Sequence, residues 1–351
     1  MGLVDLLKKT VESGGSDLFI IPGSEPTAKI QGVMTPLTQD RLMPADTEQL
    51  VEEMYSLANR DIHLMDTEGD DDFSFAVRDL SRFRCNAYRQ RGSTAAACRV
   101  VSFGLPDPSE LEIPKLVMDL VEQVSGMILV TGPAGSGKST TLACMIDRIN
   151  STRSNHIVTI EDPIEYLHRH KKSLVSQREI PGDAATFPSA LRAALRQAPD
   201  VIMLGEMRDR DTIQTAITAA ETGHLILSSL HTIGAAKTVD RIIDSFPASQ
   251  QAQMRLQLSM VLQAVVSQRL LQTVDGVRVP VFEVMTVNPA IQNLIRDGRT
   301  QQMDNQILTA HGKTMLSMDS ELQRLYRERR IDRQTALMHA VNPDALEKRL
   351  L

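Results

Sequence analysis

Between residues 126 and 149 an apolar run, a glycine-rich turn and a helical segment follow one another without a gap. Gly126–Thr131 reads as a buried strand and Lys138–Ile149 as a helix, and the turn between them is Gly132-Pro133-Ala134-Gly135-Ser136-Gly137-Lys138-Ser139. The pattern G-x-x-x-x-G-K-[ST] in that context demands backbone N–H groups that curl inward, which a Cβ at the glycines would obstruct. Those N–H groups and the helix N-terminus favour an anion, so the expected ligand is a nucleoside triphosphate. Gly132 through Thr140 are its expected contacts, with Lys138 on the β- and γ-phosphates and Ser139 on Mg²⁺.

The sequence around this turn alternates. His156–Ile160, Val201–Leu204 and Leu225–Leu230 read as strands. Pro188–Ala198 reads as a helix with Leu191, Ala194, Leu195 and Ala198 inward, and Asp211–Thr222 as another. Such alternation calls for an α/β core, a parallel sheet covered by helices on both faces. Beyond Gln250 the pattern is mostly helical, and Met254–Leu271, apolar nearly all round, is expected to be a buried helix.

Upstream the texture differs. Leu3, Leu6, Leu7 and Val11 share one helical face, which Gly14-Gly15 ends. Asp17–Ile21, Ala28–Val33 and Phe73–Val77 read as strands, Arg82–Arg89 and Ala96–Ser102 as an antiparallel pair, and Pro44–Leu57 as a helix with Leu50, Met54 and Leu57 on one stripe. Residues 102–114 hold three prolines and a glycine, which neither a helix nor a central strand tolerates. The expected organisation is an α+β domain over 1–101, a linker over 102–114, and the α/β core with its helical tail over 115–351.

Composition excludes several classes. With 38 Lys and Arg against 44 Asp and Glu, the net charge of −6 argues against a nucleic-acid partner. Cys85, Cys98 and Cys144 form no C-x-x-C pair, so neither a zinc module nor a disulfide scaffold is expected, and isolated thiols fit a reducing compartment. No 18-residue apolar stretch and no signal-peptide pattern is present, so the expected location is cytoplasmic, or peripheral to the cytoplasmic face of the membrane.

Several polar clusters can carry chemistry. Val201–Leu204 ends in Gly205-Glu206, and an acid on a strand next to the phosphate loop orients water or metal. Glu161, Asp162 and Glu165 crowd the end of another strand, and spacing alone fits a solvated loop as well as a base. His224 and His231 bracket Leu225–Leu230; a histidine at a strand end can donate to a γ-phosphate oxygen, whereas His224 by itself fits a structural role. Arg82, Arg84, Arg89 and Arg91 make a dense cluster that is either a solvated strand face or a source of trans-acting arginine; Arg196 and Arg208 are further candidates.

Together IEDPIEY at 160–166, DVIMLGEMRD at 200–209 and ETGHLILSSLHT at 221–232 resemble the Asp box, Walker B and His box of the secretion ATPases. AAKTVDRIIDSFP at 235–247 and AIQNLIRDGR at 290–299 are similar to stretches of the pilus-retraction branch, and SDLFI at 16–20 and SRFRCNAYRQR at 81–91 resemble its PAS-like module. Phe19, Arg269, Gln292 and the pair Ser228-Ser229 depart from the pattern without touching the phosphate loop or the carboxylates.

The resemblance implies a RecA-like P-loop ATPase core preceded by a PAS-like domain, assembled as a homohexamer that uses ATP and Mg²⁺. It implies Glu165 as general base, Glu206 as Walker B acid and metal contact, His231 as γ-phosphate sensor supported by His224, and Arg84 as trans finger ahead of Arg89 and Arg196. The implied partners are further copies of the chain, the inner-membrane platform protein of a type IV pilus and, in some systems, a second retraction ATPase. The competing expectations are an assembly or secretion motor of the same superfamily, whose members usually carry an additional N-terminal domain and in many cases a four-cysteine metal insert, neither of them expected here, and a RecA-like nucleic-acid translocase.

Overall fold

A computed structural model describes residues 1–101, 104–312 and 314–350, so Ser102 and Phe103 of the expected linker, and the end of the expected strand Ala96–Ser102, lie outside the described residues. The chain divides into two compact units, Met1–Gly104 with Glu165–Leu167, and Leu105–Ile164 with His168–Leu351.

The first unit contains α1 (Leu3–Glu12), β1 (Gly15–Ile20), β2 (Thr27–Ile30), β3 (Val33–Pro36), α2 (Pro44–Ala58), α3 (His63–Glu68), β4 (Asp70–Val77), β5 (Ser81–Gln90) and β6 (Ser93–Val101). Its strands form one sheet in the order β3-β2-β1-β6-β5-β4, antiparallel at every junction. This is the expected α+β arrangement. Along β5 the period of two sends Phe83, Cys85 and Ala87 into the core with Leu6, Leu7 and Met54, while Arg84 stays exposed. On α2 the inward stripe is Leu50, Val51, Met54 and Tyr55; Leu57, expected there, is 39% exposed because it falls past the edge of that face.

The cysteine expectation needs a correction here. The short turn between β5 and β6 places Cys85 opposite Cys98, both inward, and they are joined as a disulfide. Only Cys144 stands alone.

The second unit runs α4 (Lys115–Asp119), β7 (Gly126–Thr131), α5 (Lys138–Thr152), β8 (His156–Glu161), β9 (Leu174–Glu179), α6 (Phe187–Ala194), β10 (Val201–Leu204), α7 (Arg210–Glu221), β11 (Leu225–Leu230), α8 (Ala235–Asp244), α9 (Ala248–Val261), β12 (Leu262–Gln272), β13 (Arg278–Thr286), α10 (Pro289–Asp297), α11 (Met303–Thr309), α12 (Met318–Arg327), α13 (Arg333–Met338) and α14 (Pro343–Leu350). Its sheet has the order β13-β12-β7-β11-β10-β8-β9, parallel except for β13. All six residues of β7 are buried, and apolar clusters lie on both faces, one with α5, the other with α6 to α9. Each fully buried aliphatic side chain there contributes roughly 1.5–3 kcal/mol. The expected α/β core with a parallel sheet is therefore present.

Two elements differ from expectation. Met254–Leu271 is not one helix: α9 stops at Val261, and Leu262–Gln272 is a strand inserted between β7 and β13. A strand buried on both faces is as apolar as a buried helix, so hydrophobicity alone could not separate them. The helix expected to reach Ala198 ends at Ala194, because Pro199 disfavours helical backbone before it and Ala198 takes a φ of 50°. The charged tail packs Met318, Leu322, Leu325 and Leu346 against Leu271, Val279 and Val281 of the β12–β13 hairpin.

Candidate active site

The phosphate loop joins the carboxyl end of β7 to the amino end of α5 (Lys138–Thr152). Gly132, Gly135 and Gly137 have φ of 145°, 73° and 88°, in the region L side chains avoid. At Gly132 a Cβ would stand 2.2 Å from the Gln268 carbonyl oxygen and 2.7 Å from Ser136 Oγ. The loop therefore lies directly on β12. The Gln268 side chain adds to this: its Oε1 accepts from Thr141 Oγ1 at 2.7 Å, and its Nε2 would lie 2.9 Å from a Cβ at Gly137. Lys138 is buried, and its Nζ donates to the carbonyls of Gly132 at 3.0 Å and Pro133 at 2.9 Å. The Ser136 hydroxyl is buried without a hydrogen-bond partner. A loop with no room for a Cβ at Gly132 or Gly137, an orphaned donor and a compact cation at a helix N-terminus together fit a polyphosphate.

Glu206 reaches the same carboxyl-terminal edge, but by a different route from the one expected. Its strand β10 is not beside β7, because β11 lies between them. The Ser229 hydroxyl on β11 donates to the Gly205 carbonyl at 2.6 Å and fixes the turn before Glu206. The Glu206 carboxylate is 11% exposed and pairs with Arg208 at one oxygen, while His231 Nε2 lies 3.2 Å from the other. The pair holds the Arg208 guanidinium above its ordinary value, the hydrogen bond to Glu206 being the larger cause. Arg208, Glu206 and His231 line a cleft of about 260 Å³ with Met207, Ser229 and Arg241. Arg208 is mostly in solvent, so its removal is expected to change kcat by no more than about fivefold. A hundredfold loss in the Arg208→Ala protein would instead make it a phosphate contact.

The structure brings Glu206 and His231 together but not His224. His224 precedes β11 and His231 follows it, so the strand holds them about 20 Å apart at opposite edges of the sheet. His224 Nδ1 lies 2.9 Å from the Ala219 carbonyl and 3.2 Å from the Thr222 hydroxyl, closing the end of α7. The expected support of His231 by His224 is thus corrected. Arg196 likewise follows α6 toward the amino end of β10, exposed, with Nη1 on the Arg192 carbonyl at 3.0 Å.

Of the clustered acids, Glu161 is buried at the end of β8, its Oε1 accepting from Thr159 Oγ1 at 2.6 Å and Gln177 Nε2 at 3.2 Å. Asp162 is exposed. Glu165 is exposed and belongs to the first unit. Within that unit Arg89 is paired with Asp66 at 2.7 Å and Arg99 with Asp17 at 3.0 Å, whereas Arg84 has no ion pair among the described residues. Sequence reasoning missed Gln268, which lies 127 residues from its partner Thr141; no local signal marks it.

For the metal, no group of three or more His, Cys, Asp or Glu placed to hold an ion exists among the described residues. The candidate donors are the Ser139 hydroxyl on the first turn of α5 and the Glu206 carboxylate, which lines the cleft beside His231. That small set suits a Mg²⁺ that keeps several waters and shares phosphate oxygens with the loop.

A strand-loop-helix phosphate cradle on a parallel sheet, with an acid and a histidine at the same edge, defines a P-loop NTPase. The chain belongs to the type II/IV secretion system protein family, whose model matches residues 95–338. It is 42% identical to the type IV pilus retraction ATPase PilT of Pseudomonas aeruginosa, over 98% of this chain and 99% of that protein. It is 41% identical to a twitching motility protein of Neisseria gonorrhoeae, over 98% of this chain and 92% of the relative. The crystal structure of the pilus retraction motor PilT with bound ADP superposes with a TM-score of 0.89 at 44% identity, covering 99% of each chain. The family and the ATPase class expected from the motifs are borne out by these relatives.

Proposed function

We propose that this chain is the ATP-hydrolysing motor of type IV pilus retraction. The observation that supports it most strongly is likeness along the whole length, first unit included, to a retraction motor that binds ADP. In this reading Gly132–Thr140 cradle the phosphates, and Lys138 exchanges its two carbonyl acceptors for β- and γ-phosphate oxygens. Ser139 and Glu206 would hold Mg²⁺, which would supply charge neutralisation at the phosphates. Glu165 takes the proton of the attacking water, and His231 reports the γ-phosphate to the turn that opens α8. Six copies form a ring in which Arg84 of one copy serves the phosphates of the next. The ring docks on the cytoplasmic face of the membrane and turns the platform protein, so that pilins return from the fibre to the membrane; some systems add a second retraction ATPase. Among the described residues no helix is long and apolar enough to cross a membrane, in keeping with peripheral docking.

The test is expression in a Pseudomonas aeruginosa strain that lacks its own retraction ATPase. Restored twitching, lost again with Lys138→Ala, is the expected result. Restored pilus assembly in a strain lacking the assembly motor, without restored twitching, would overturn it in favour of an assembly motor.

A further inference from the structure

Glu283 lies on β13, in the row where Thr131 of β7, Ser267 of β12 and Glu283 face one another across three strands. All three are buried; the Thr131 hydroxyl has no hydrogen-bond partner, whereas Ser267 and Glu283 both accept from the backbone. Ser267 Oγ accepts from the Gly234 N–H at 2.9 Å, and Glu283 Oε1 accepts from the Ala235 N–H at 2.9 Å. Gly234 and Ala235 end the short turn that begins at His231 and open α8 (Ala235–Asp244). That turn needs the glycine, since Gly234 has a φ of 92°. Its other anchor is the Thr232 hydroxyl, 2.7 Å from that of Thr238. The backbone N–H of Met318, the first residue of α12 (Met318–Arg327), also acts on the Glu283 carboxyl and favours its charged form. One buried carboxylate therefore holds the amino terminus of the helix that follows the His231 turn and lies beside the amino terminus that opens the C-terminal helices.

The arrangement is unusual in its chemistry. Two helix N-termini favour a negative charge, yet burial pushes the Glu283 carboxyl up to about 7, with Asp304 of α11 and Asp319 of α12 adding to the rise. Arg269 of β12 is the cation that faces this group, and Lys237 of α8 acts on neighbouring Asp304. A buried acid in such surroundings weakens the fold unless its two acceptor oxygens are in use. An apolar residue would fill the space at less cost, so stability does not explain a carboxylate here.

We infer that Glu283, with Ser267, is a positioning residue for γ-phosphate sensing: the two hold the His231 turn at the height of the phosphate loop. The inference rests on the reading of His231 as the γ-phosphate sensor. The logic of the strand supports it. Ser267 and Gln268 are successive residues of β12 and project to opposite faces. Gln268 fixes the phosphate loop and Ser267 fixes the histidine turn, so one strand sets the relative height of both. Glu283 extends the same register to β13.

The test is a double-mutant cycle on the full chain, read as kcat and KM for ATP, with binding of fluorescent ADP as a control. Glu283→Gln keeps the shape but removes the carboxylate charge and can present an NH₂ to the Ala235 N–H. It is expected to lower kcat by about 10- to 100-fold, as a small misplacement of a catalytic group does, with ADP affinity unchanged. In a His231→Ala background the same substitution is expected to cost nothing further, because it acts through that side chain. Ser267→Ala, which only removes the Gly234 acceptor, is expected to give a smaller loss with the same non-additivity, and serves if the Glu283 variant does not fold. Glu283→Asp is expected to recover part of kcat. Additive losses in the double variants would overturn the inference while leaving the sensing role of His231 intact. A His231→Ala protein with normal turnover would overturn both.

Discussion

Arg84→Ala is expected to lower kcat by about 10³- to 10⁵-fold with nucleotide affinity retained, whereas Arg89→Ala stays within a few-fold of the parent. The size follows from what a fixed cation does for the charge that develops on a transferred phosphoryl group. The choice between the two arginines follows from their surroundings. Arg89 is committed to Asp66 at 2.7 Å, so it would have to give up an existing partner. Arg84 is on the outward face of β5, exposed and without an ion pair among the described residues. Arg84→Lys should not recover activity, because a point charge cannot replace the planar fork. Mixing decides whether the arginine acts in trans: inactive Arg84→Ala subunits mixed with inactive Lys138→Ala subunits should regain part of the turnover, since each supplies what the other lacks at some interfaces. No recovery in mixed rings, or an active monomer, would remove the trans finger.

The α/β core was legible because its strands are short apolar runs between punctuating residues, and because the glycine-rich turn has a single structural context. Val201–Leu204 and Leu225–Leu230 were read to the residue. Legibility failed where burial is complete on both faces. Leu262–Gln272 shows no alternation, because α5 covers one side and α8 the other, and nothing local distinguishes it from a continuation of α9. β9 was missed for the opposite reason: it is an edge strand with a mixed burial pattern and few apolar residues. The Cys85–Cys98 pair was within reach of arithmetic, since the two strands were recognised as antiparallel and the turn fixes which residues oppose.

In the site, residues marked by a motif were found and residues marked only by their place across the sheet were not. Gln268, Ser267 and Glu283 come from β12 and β13, far along the chain from the turns they hold, and hydrogen bonds between distant strands leave no periodic trace. His224 shows the converse. Proximity in sequence suggested a pair with His231, but a strand of six residues is a spacer, and its two ends serve different edges of the sheet. Two histidines on either side of a strand cannot share a ligand unless the strand is short.

Replacing Glu165 by Gln is expected to lower kcat by roughly 10²- to 10⁴-fold, the usual contribution of a positioned base, with ATP binding preserved. Three acids compete for this role at the end of β8, and their environments separate them. Glu161 is buried, with one carboxylate oxygen already accepting from Thr159 and Gln177, so a proton taken there would break an internal network. Its replacement should therefore weaken folding or nucleotide affinity before it changes chemistry. Asp162 is exposed and follows Glu161 directly, with its charge felt by Arg208. Glu165 is exposed and outside that network, in the loop that leaves the carboxyl end of β8, the edge at which open α/β sheets bind their ligands. An exposed carboxylate is free to meet a water at a γ-phosphate, which a committed one is not. Single-turnover hydrolysis of bound ATP isolates the step from product release: the Glu165→Gln protein should bind ATP and hold it uncleaved. A Glu165→Gln protein with normal single-turnover cleavage, beside a Glu161→Gln protein that folds, binds ATP and does not cleave it, would move the base to Glu161.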